Sequence, residues 1–157
     1  MDQARLNRFI NQPLRELTLE APAFVSPAQS VREAVALMQS GKTSCVLVMD
    51  GGKLAGIFTE RDVLVRCMAD GFDWDQPLGA GVFTSNPRTI SSESTRGEAI
   101  AVFQQHSYRT LPVVADGRVL GLFRVGDVLA NLTEAFPEEL LNLPPRPHQV
   151  MEKQEGG

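Results

Sequence analysis

The sequence predicts an α/β fold, more narrowly α+β, in which two copies of one β-α-β-β-α unit stack against each other. The first observation behind this is a repeat. Gly56-Ile57-Phe58-Thr59-Glu60-Arg61-Asp62-Val63-Leu64 returns as Gly121-Leu122-Phe123-Arg124-Val125-Gly126-Asp127-Val128-Leu129, an offset of 65 residues. The same offset, without a gap, pairs Pro22 with Pro87, Glu33 with Glu98, Val48 with Val113 and Gly52 with Gly117. The second observation is that hydrophobic periodicity changes in the same order in both copies, from helical to a short apolar run and back to helical. The third is size: three short strands and two helices cannot bury their own apolar face, so stacking the two sheets is the economical solution.

In the first copy a short strand near Phe24-Val25 precedes Ser30 and Glu33, which have capping-box spacing. Val31, Ala34, Val35 and Met38 then recur at helical spacing, and Gly41 supplies a stop. Cys45-Val46-Leu47-Val48-Met49 has no polar alternation and reads as a strand covered on both faces. Asp50-Gly51-Gly52 turns the chain into a second strand ending at Phe58. From Thr59 onward Val63, Leu64, Cys67 and Met68 form one apolar helical stripe.

The second copy follows the same plan. Thr95 and Glu98 make its capping box, Ala99, Ile100 and Phe103 its apolar face, and Leu111-Pro112-Val113-Val114 its covered strand. Asp116-Gly117 makes the turn, and Val128, Leu129 and Leu132 close the unit. The boundaries read as an N-terminal helix over 1–12, a first unit over 13–70, a linker over 71–77, a second unit over 78–134 and a tail over 135–157. Within the linker, Trp74 is expected to pack against one copy. Leu6, Phe9 and Ile10 share one side of the N-terminal helix, for packing on the core or on a second subunit. In the tail, Phe136, Leu140 and Leu143 are expected to fold back on their own subunit, Pro144-Pro145-Arg146-Pro147 favours an extended conformation, and the chain beyond His148 is expected to be disordered.

Composition excludes several classes of function. A net charge of −4, from 15 basic and 19 acidic side chains, comes with no basic cluster to follow a phosphate backbone, so nucleic acid is not an expected partner. No segment approaches the ~20 apolar residues of a membrane span, and the first residues lack the apolar stretch of a signal peptide. Cys45 and Cys67 sit in apolar runs far from CxxC spacing and read as buried free thiols, which fits a reducing, cytoplasmic location. Neither histidine, His106 or His148, has a nucleophile or metal-ligating companion in the sequence, and there is no Walker loop, dinucleotide fingerprint or HExxH. No enzyme, metal or obligatory cofactor is expected.

Thr59 and Asp62 admit two readings. Thr-x-x-Asp at a helix start is a plain capping pair. It is also a corner where a carboxylate can accept from two sugar hydroxyls while a hydroxyl and free helix N–H groups donate to phosphate. In the second copy Arg124 takes the threonine position and cannot cap through its side chain, yet Asp127 remains. That carboxylate can still favour the positive helix end, and Arg124 adds a fork of donors suited to an anion.

Gly56-Ile57-Phe58-Thr59-Glu60-Arg61-Asp62, the stretch Arg109-Thr110-Leu111-Pro112-Val113-Val114 and the duplicated element order resemble tandem cystathionine-β-synthase (CBS) domains, a Bateman module, from about Pro13 to Leu132. The resemblance implies two units packed through their sheets about a pseudo-twofold axis with two clefts between them. It implies an adenosine ligand there, such as AMP, ADP, ATP or S-adenosylmethionine, and pairing into a disc-shaped homodimer. On this family pattern Asp62 is the ribose-binding carboxylate, Thr59 its accompanying hydroxyl and Asp127 the carboxylate of the second cleft. Adenine contacts are implied for the backbone around Phe24 and Val25 and around Thr89. Ser44, and Tyr108 with Arg109 and Thr110, border the clefts. Arg124 departs from the hydroxyl pattern, so the first motif is expected to be the better nucleoside site. The implied function is a regulatory ligand-binding module that signals to a separate effector protein; the alternative is a ligand-free dimeric scaffold whose tail docks on a partner.

Overall fold

A computed structural model describes residues 2–142. The first unit comprises β1 (Phe24–Val25), α2 (Val31–Ser40), β2 (Cys45–Asp50), β3 (Lys53–Thr59) and α3 (Glu60–Arg66), after an N-terminal helix α1 (Gln3–Asn11). A short strand β4 (Thr84–Ser85) precedes the second unit: β5 (Ile90–Ser91), α4 (Arg96–Gln105), β6 (Thr110–Ala115), β7 (Arg118–Arg124) and α5 (Val125–Ala135), followed by the single turn α6 (Pro137–Leu140). The β-α-β-β-α order is therefore present twice.

Both capping boxes form. Glu33 N–H donates to Ser30 Oγ at 3.1 Å while the Glu33 carboxylate accepts from Ser30 N–H at 2.8 Å, and Thr95 and Glu98 repeat the exchange. In each unit the first strand runs parallel to the second, and the second antiparallel to the third. Gly51 and Gly52, and Asp116 and Gly117, take positive φ at the hairpin turns, matching the right-handed strand twist. Strands β2 and β6 are buried on both faces as their unbroken apolar runs require. Val46 and Val48 face one helical layer, while Cys45 and Leu47 meet Ile57 and Leu122 in a small core between the two sheets.

The units exchange their leading segments. Leu78 and Val82, at the head of the second unit, are buried in the core of the first with Val31, Ala34 and Phe58. Leu14, at the head of the first unit, is buried in the core of the second with Ala99, Leu111 and Phe123. The exchange extends to the sheets: β4 pairs antiparallel with β3, and Glu20 exchanges two backbone hydrogen bonds with Leu122 in β7. Each unit thus completes its core with chain that belongs in sequence to the other.

Several apolar positions differ from expectation. Of the stripe on α3, Cys67 is buried and Val63 half-buried, but Leu64 and Met68 stand 69% and 63% exposed. Leu129 in α5, the repeat equivalent of Leu64, is 64% exposed. A short helix lying on a sheet turns one face inward, and here that face is centred on Asp62, Val63 and Cys67, one position away from the expected stripe. Phe136 is buried edge-on against Phe9, but Leu140 remains exposed instead of folding back. The expectations for Leu143, the Pro144–Pro147 run and His148 lie outside the described residues. Trp74 packs with Phe72 against the first core.

Arg96, at the start of α4, has no counterpart in the sequence reading. Its guanidinium is 4% exposed, stacks 3.8 Å from the Phe9 ring centroid and donates to Phe9 O and to Asn131 Oδ1. Burial pulls its pKa below the ordinary guanidinium value. These contacts tie α1 to the second unit.

Candidate functional site

The first corner is built where β3 ends and α3 begins. Thr59, paired with Cys45 across the sheet, brings the start of β2 beside the helix, and Ser44 O accepts the first helical N–H, from Glu60, at 3.0 Å. Thr59 Oγ1 accepts from Asp62 N–H at 3.2 Å. In return Asp62 Oδ2 accepts from Thr59 N–H at 2.9 Å and from the Thr59 hydroxyl at 3.1 Å. The capping pair is therefore complete. Asp62 is nonetheless more than a cap, because it is 5% exposed and its other oxygen is also engaged. Oδ1 accepts from the Thr84 hydroxyl at 3.0 Å and lies 3.3 Å from Arg66 Nε.

Neither Thr84 nor Arg66 was singled out from the sequence. Arg66 stands four residues after Asp62 on the same helix, a spacing that puts opposite charges side by side. Thr84 reaches the corner only because β4 crosses from the second unit's leading segment, and no local pattern announces that.

The second corner has the same backbone and different chemistry. Arg109 O accepts from Val125 N–H at 3.0 Å, as Ser44 O does in the first. Asp127 still accepts from the backbone N–H of its cap residue, Arg124, at 2.8 Å. The Arg124 guanidinium then folds onto that carboxylate, with Nε 3.3 Å from Oδ2 and Nη2 3.2 Å from Oδ1. Nη1 reaches Glu20 Oε2 at 2.6 Å. Asp127 holds the Arg124 pKa above its ordinary value, with burial opposing and Glu20 assisting. The repeat equivalents of Arg66 and Thr84 are Asn131 and Leu19, neither of which donates to Asp127; Arg124 Nη2 is the donor on Oδ1, and its Nε takes the place on Oδ2 that the Thr59 hydroxyl has in the first corner.

The structure brings Ser44, Thr59 and Asp62 together at one end of the first sheet, and Arg109, Thr110, Arg124 and Asp127 together at the matching end of the second. The other named residues lie further along the first strands. Val25 pairs with Val48 and is buried, while Phe24 is 49% exposed. Thr89, half-buried, immediately precedes β5. Arg109 is exposed and makes no ion pair among the described residues, so it does not join the Arg124 cluster. Cys45 sits between the corners, and burial with Glu20 nearby pushes its thiol up to about 11. A groove of about 500 Å³ between α4 and α5, beside the second corner, is lined by Phe103, Tyr108, Arg109, Val125, Val128 and Leu129. No cluster of metal-ligating side chains occurs among the described residues. No described helix is long and apolar enough to cross a membrane.

Each corner lies within one match to a recognised family: the family model described as CBS domain matches residues 14–68 and again 80–134. The chain belongs to the CBS-domain family. Relatives of these two CBS domains include the CBS domain-containing protein YhcV of Bacillus subtilis, 30% identical over 69% of this chain and 77% of that protein. The "Meiotically up-regulated gene 70 protein" of Schizosaccharomyces pombe is 38% identical over 61% of this chain. An inosine-5'-monophosphate dehydrogenase of Staphylococcus epidermidis is 34% identical over 68%. The matched stretch spans only 13% of the yeast protein and 22% of the dehydrogenase, so the likeness lies in their CBS domains. Among solved structures, a conserved protein from Pyrococcus horikoshii superposes with a TM-score of 0.71 at 25% identity, covering 78% of this chain and 93% of that one. A CBS domain protein from Pyrobaculum aerophilum, complexed with AMP, superposes with a TM-score of 0.66 at 20% identity, covering 78% and 98%. The CBS-pair architecture, two repeated α+β units with stacked sheets, is thereby shown for this chain.

Proposed function

We propose that these CBS domains form a non-catalytic regulatory module that binds an adenosine-containing ligand, AMP, ADP, ATP or S-adenosylmethionine, at the Ser44, Thr59 and Asp62 corner. The signal passes to a separate effector protein. The observation that carries the reading is Asp62 itself, a buried carboxylate with both oxygens aimed at hydroxyl and cationic donors at the mouth of strands β1 to β3. The AMP complex of the Pyrobaculum protein, which has the same fold, supports the choice of ligand class. In this reading the Asp62 carboxylate accepts from the ribose hydroxyls, Thr59 accompanies it, and backbone near Phe24 and Val25 meets the base. The corner formed by Arg109, Thr110, Arg124 and Asp127, with Thr89 further along, is the weaker site, since Arg124 replaces the hydroxyl of Thr59 and lays a guanidinium across both carboxylate oxygens. The units are taken as 13–70 and 78–134, joined by 71–77.

A homodimer is part of the same proposal. Leu64 and Val65 on α3, Met68 just beyond it and Leu129 on α5 are exposed apolar side chains, Leu64 and Leu129 at matching places on the repeat, and a second copy would cover them. For regulation the ligand must favour one arrangement of the units or the dimer, because equal affinity for two states shifts neither.

Calorimetry of nucleotide-free protein with each of the four ligands tests the reading. Micromolar binding, about −8 kcal/mol, that is lost in Asp62→Ala and kept in Asp127→Ala is the expected result. A second reading, a ligand-free dimeric scaffold or interaction module, is favoured by the internal satisfaction of both carboxylates. It is the conclusion if no adenosine compound gives heat.

A further inference from the structure

Asp62 cannot receive a ribose without giving something up. A carboxylate offers about four lone-pair positions, and hydrogen bonds fill three: Thr59 N–H and its hydroxyl on Oδ2, and the Thr84 hydroxyl on Oδ1, where Arg66 Nε stands 3.3 Å away as an ion-pair partner, so a diol that needs two acceptor positions must displace a neighbour. The two donors on Oδ2 belong to the capping box that starts α3. Those on Oδ1 are held less firmly by the local fold, since Thr84 is exposed on a two-residue strand and the Arg66 side chain is 38% exposed. A vicinal diol arriving at this carboxylate therefore takes Oδ1 and displaces Thr84 and Arg66.

Both displaced residues hold the crossover. Thr84 lies in β4, and Arg66 Nη1 donates to Gly81 O at 3.0 Å and Phe83 O at 3.1 Å. Thus residues 81–85, which lead the chain into the second CBS domain, are held to the first domain by the pairing of β4 with β3 and, in addition, by Thr84 and Arg66, the two residues that meet the carboxylate at which the ligand would bind. The second corner is tied differently: Leu19 replaces Thr84, Asn131 replaces Arg66 and is turned toward Arg96, and the leading segment reaches Asp127 only through Arg124, which pairs with Glu20.

We infer that Thr84 and Arg66 are internal competitors for the Asp62 carboxylate, which set the affinity of the first site and make the 81–85 crossover the segment that reads its occupancy. This rests on the nucleoside reading of that corner. Thr84 and Arg66 are positioning residues that act through Asp62.

AMP is the probe, with two readouts on the intact protein: affinity by calorimetry, and amide hydrogen exchange of the peptide spanning 81–87. In wild type, AMP is expected to speed exchange in 81–87. Thr84→Val, which removes the competing hydroxyl, is expected to bind AMP 3- to 10-fold more tightly (about 0.6–1.4 kcal/mol), with fast exchange of 81–87 already present without AMP. Thr84→Ser keeps the hydroxyl and should behave as wild type, and Arg66→Ala should follow Thr84→Val. Bound AMP with exchange in 81–87 unchanged or slowed overturns the inference while leaving the nucleotide reading intact, as does weaker binding by Thr84→Val. No binding of AMP, ADP, ATP or S-adenosylmethionine by wild type overturns both.

Discussion

The ring of Phe83 lies where a β-carbon on Gly56 would have to stand, with Thr84 O pressed against the same spot. Gly121, its repeat equivalent, is faced in the same way by Leu19 and Glu20. The glycine that opens each copy of the repeat is therefore the place where the exchanged segment passes over the strand, and the lack of a side chain permits the approach. Gly56→Ala and Gly121→Ala must push that segment away and are expected to destabilise by about 1–3 kcal/mol. Gly126→Ala meets nothing within 4 Å in the first turn of α5 and is expected to be neutral or stabilising. Urea unfolding of the three variants measures the contrast through the midpoint.

Arg124 closes the second corner with its own charge. Arg124→Thr restores the hydroxyl and carboxylate pattern of the first corner and frees Asp127 from the guanidinium contacts at 3.2 and 3.3 Å. If the first corner binds AMP, the variant is expected to raise the stoichiometry from one to two AMP per chain in calorimetry. A stoichiometry that stays at one would show that the carboxylate and hydroxyl do not suffice there.

Leu64 and Leu129 stand 69% and 64% exposed, so replacing them should leave the monomer's stability within about ±0.5 kcal/mol. Leu64→Asp and Leu129→Asp place charges on the apolar faces assigned to the second copy. Sedimentation is expected to show a dimer weakened by at least 10-fold, with circular dichroism unchanged.

Cys45 gives the protein an alkaline limit. Burial raises its pKa to about 11, so folding favours the neutral thiol. The unfolded chain loses the proton first, at about 8.5, and stability contributed by the thiol is present below that pH and declines as pH rises toward about 11. The slope approaches about 1.4 kcal/mol per pH unit within that window. Urea unfolding at pH 8 and pH 10 should show the decline in wild type and a smaller one in Cys45→Ala; Cys67, also shifted upward by burial, accounts for a remainder.

Thr59→Ala removes the acceptor for Asp62 N–H and one donor to Oδ2. A loss of about 0.5–2 kcal/mol is expected from the cap. Thr59→Ser should recover most of it in thermal or chemical unfolding, since the hydroxyl is what both bonds require.

What could be read from the sequence follows the range of the interactions. Ser30 with Glu33, Thr95 with Glu98 and Thr59 with Asp62 are contacts across three residues, and each forms in the way its spacing implies. The double coverage of Val46 and Val48 was legible because a two-faced strand has no polar alternation. Leu64 and Met68 were read as core because a seven-residue helix offers two neighbouring apolar stripes, and periodicity alone does not say which one meets the sheet. Arg96 was missed because its repeat equivalent, Val31, is an ordinary core residue, and the guanidinium is accommodated by α1 from outside the repeat.

The sequence by itself determined the duplication, the order of elements within each copy and the two unequal corners, Thr59-x-x-Asp62 and Arg124-x-x-Asp127, because these depend on periodicity and on side chains a few positions apart. Only the tertiary structure decided what else reaches those carboxylates. Thr84 comes to Asp62 from 22 residues away and Glu20 to Arg124 from the head of the other unit. Both meetings depend on which sheet each leading segment joins, and that is settled by burying Leu14, Leu78 and Val82 in the opposite core, an energy to which no local pattern contributes.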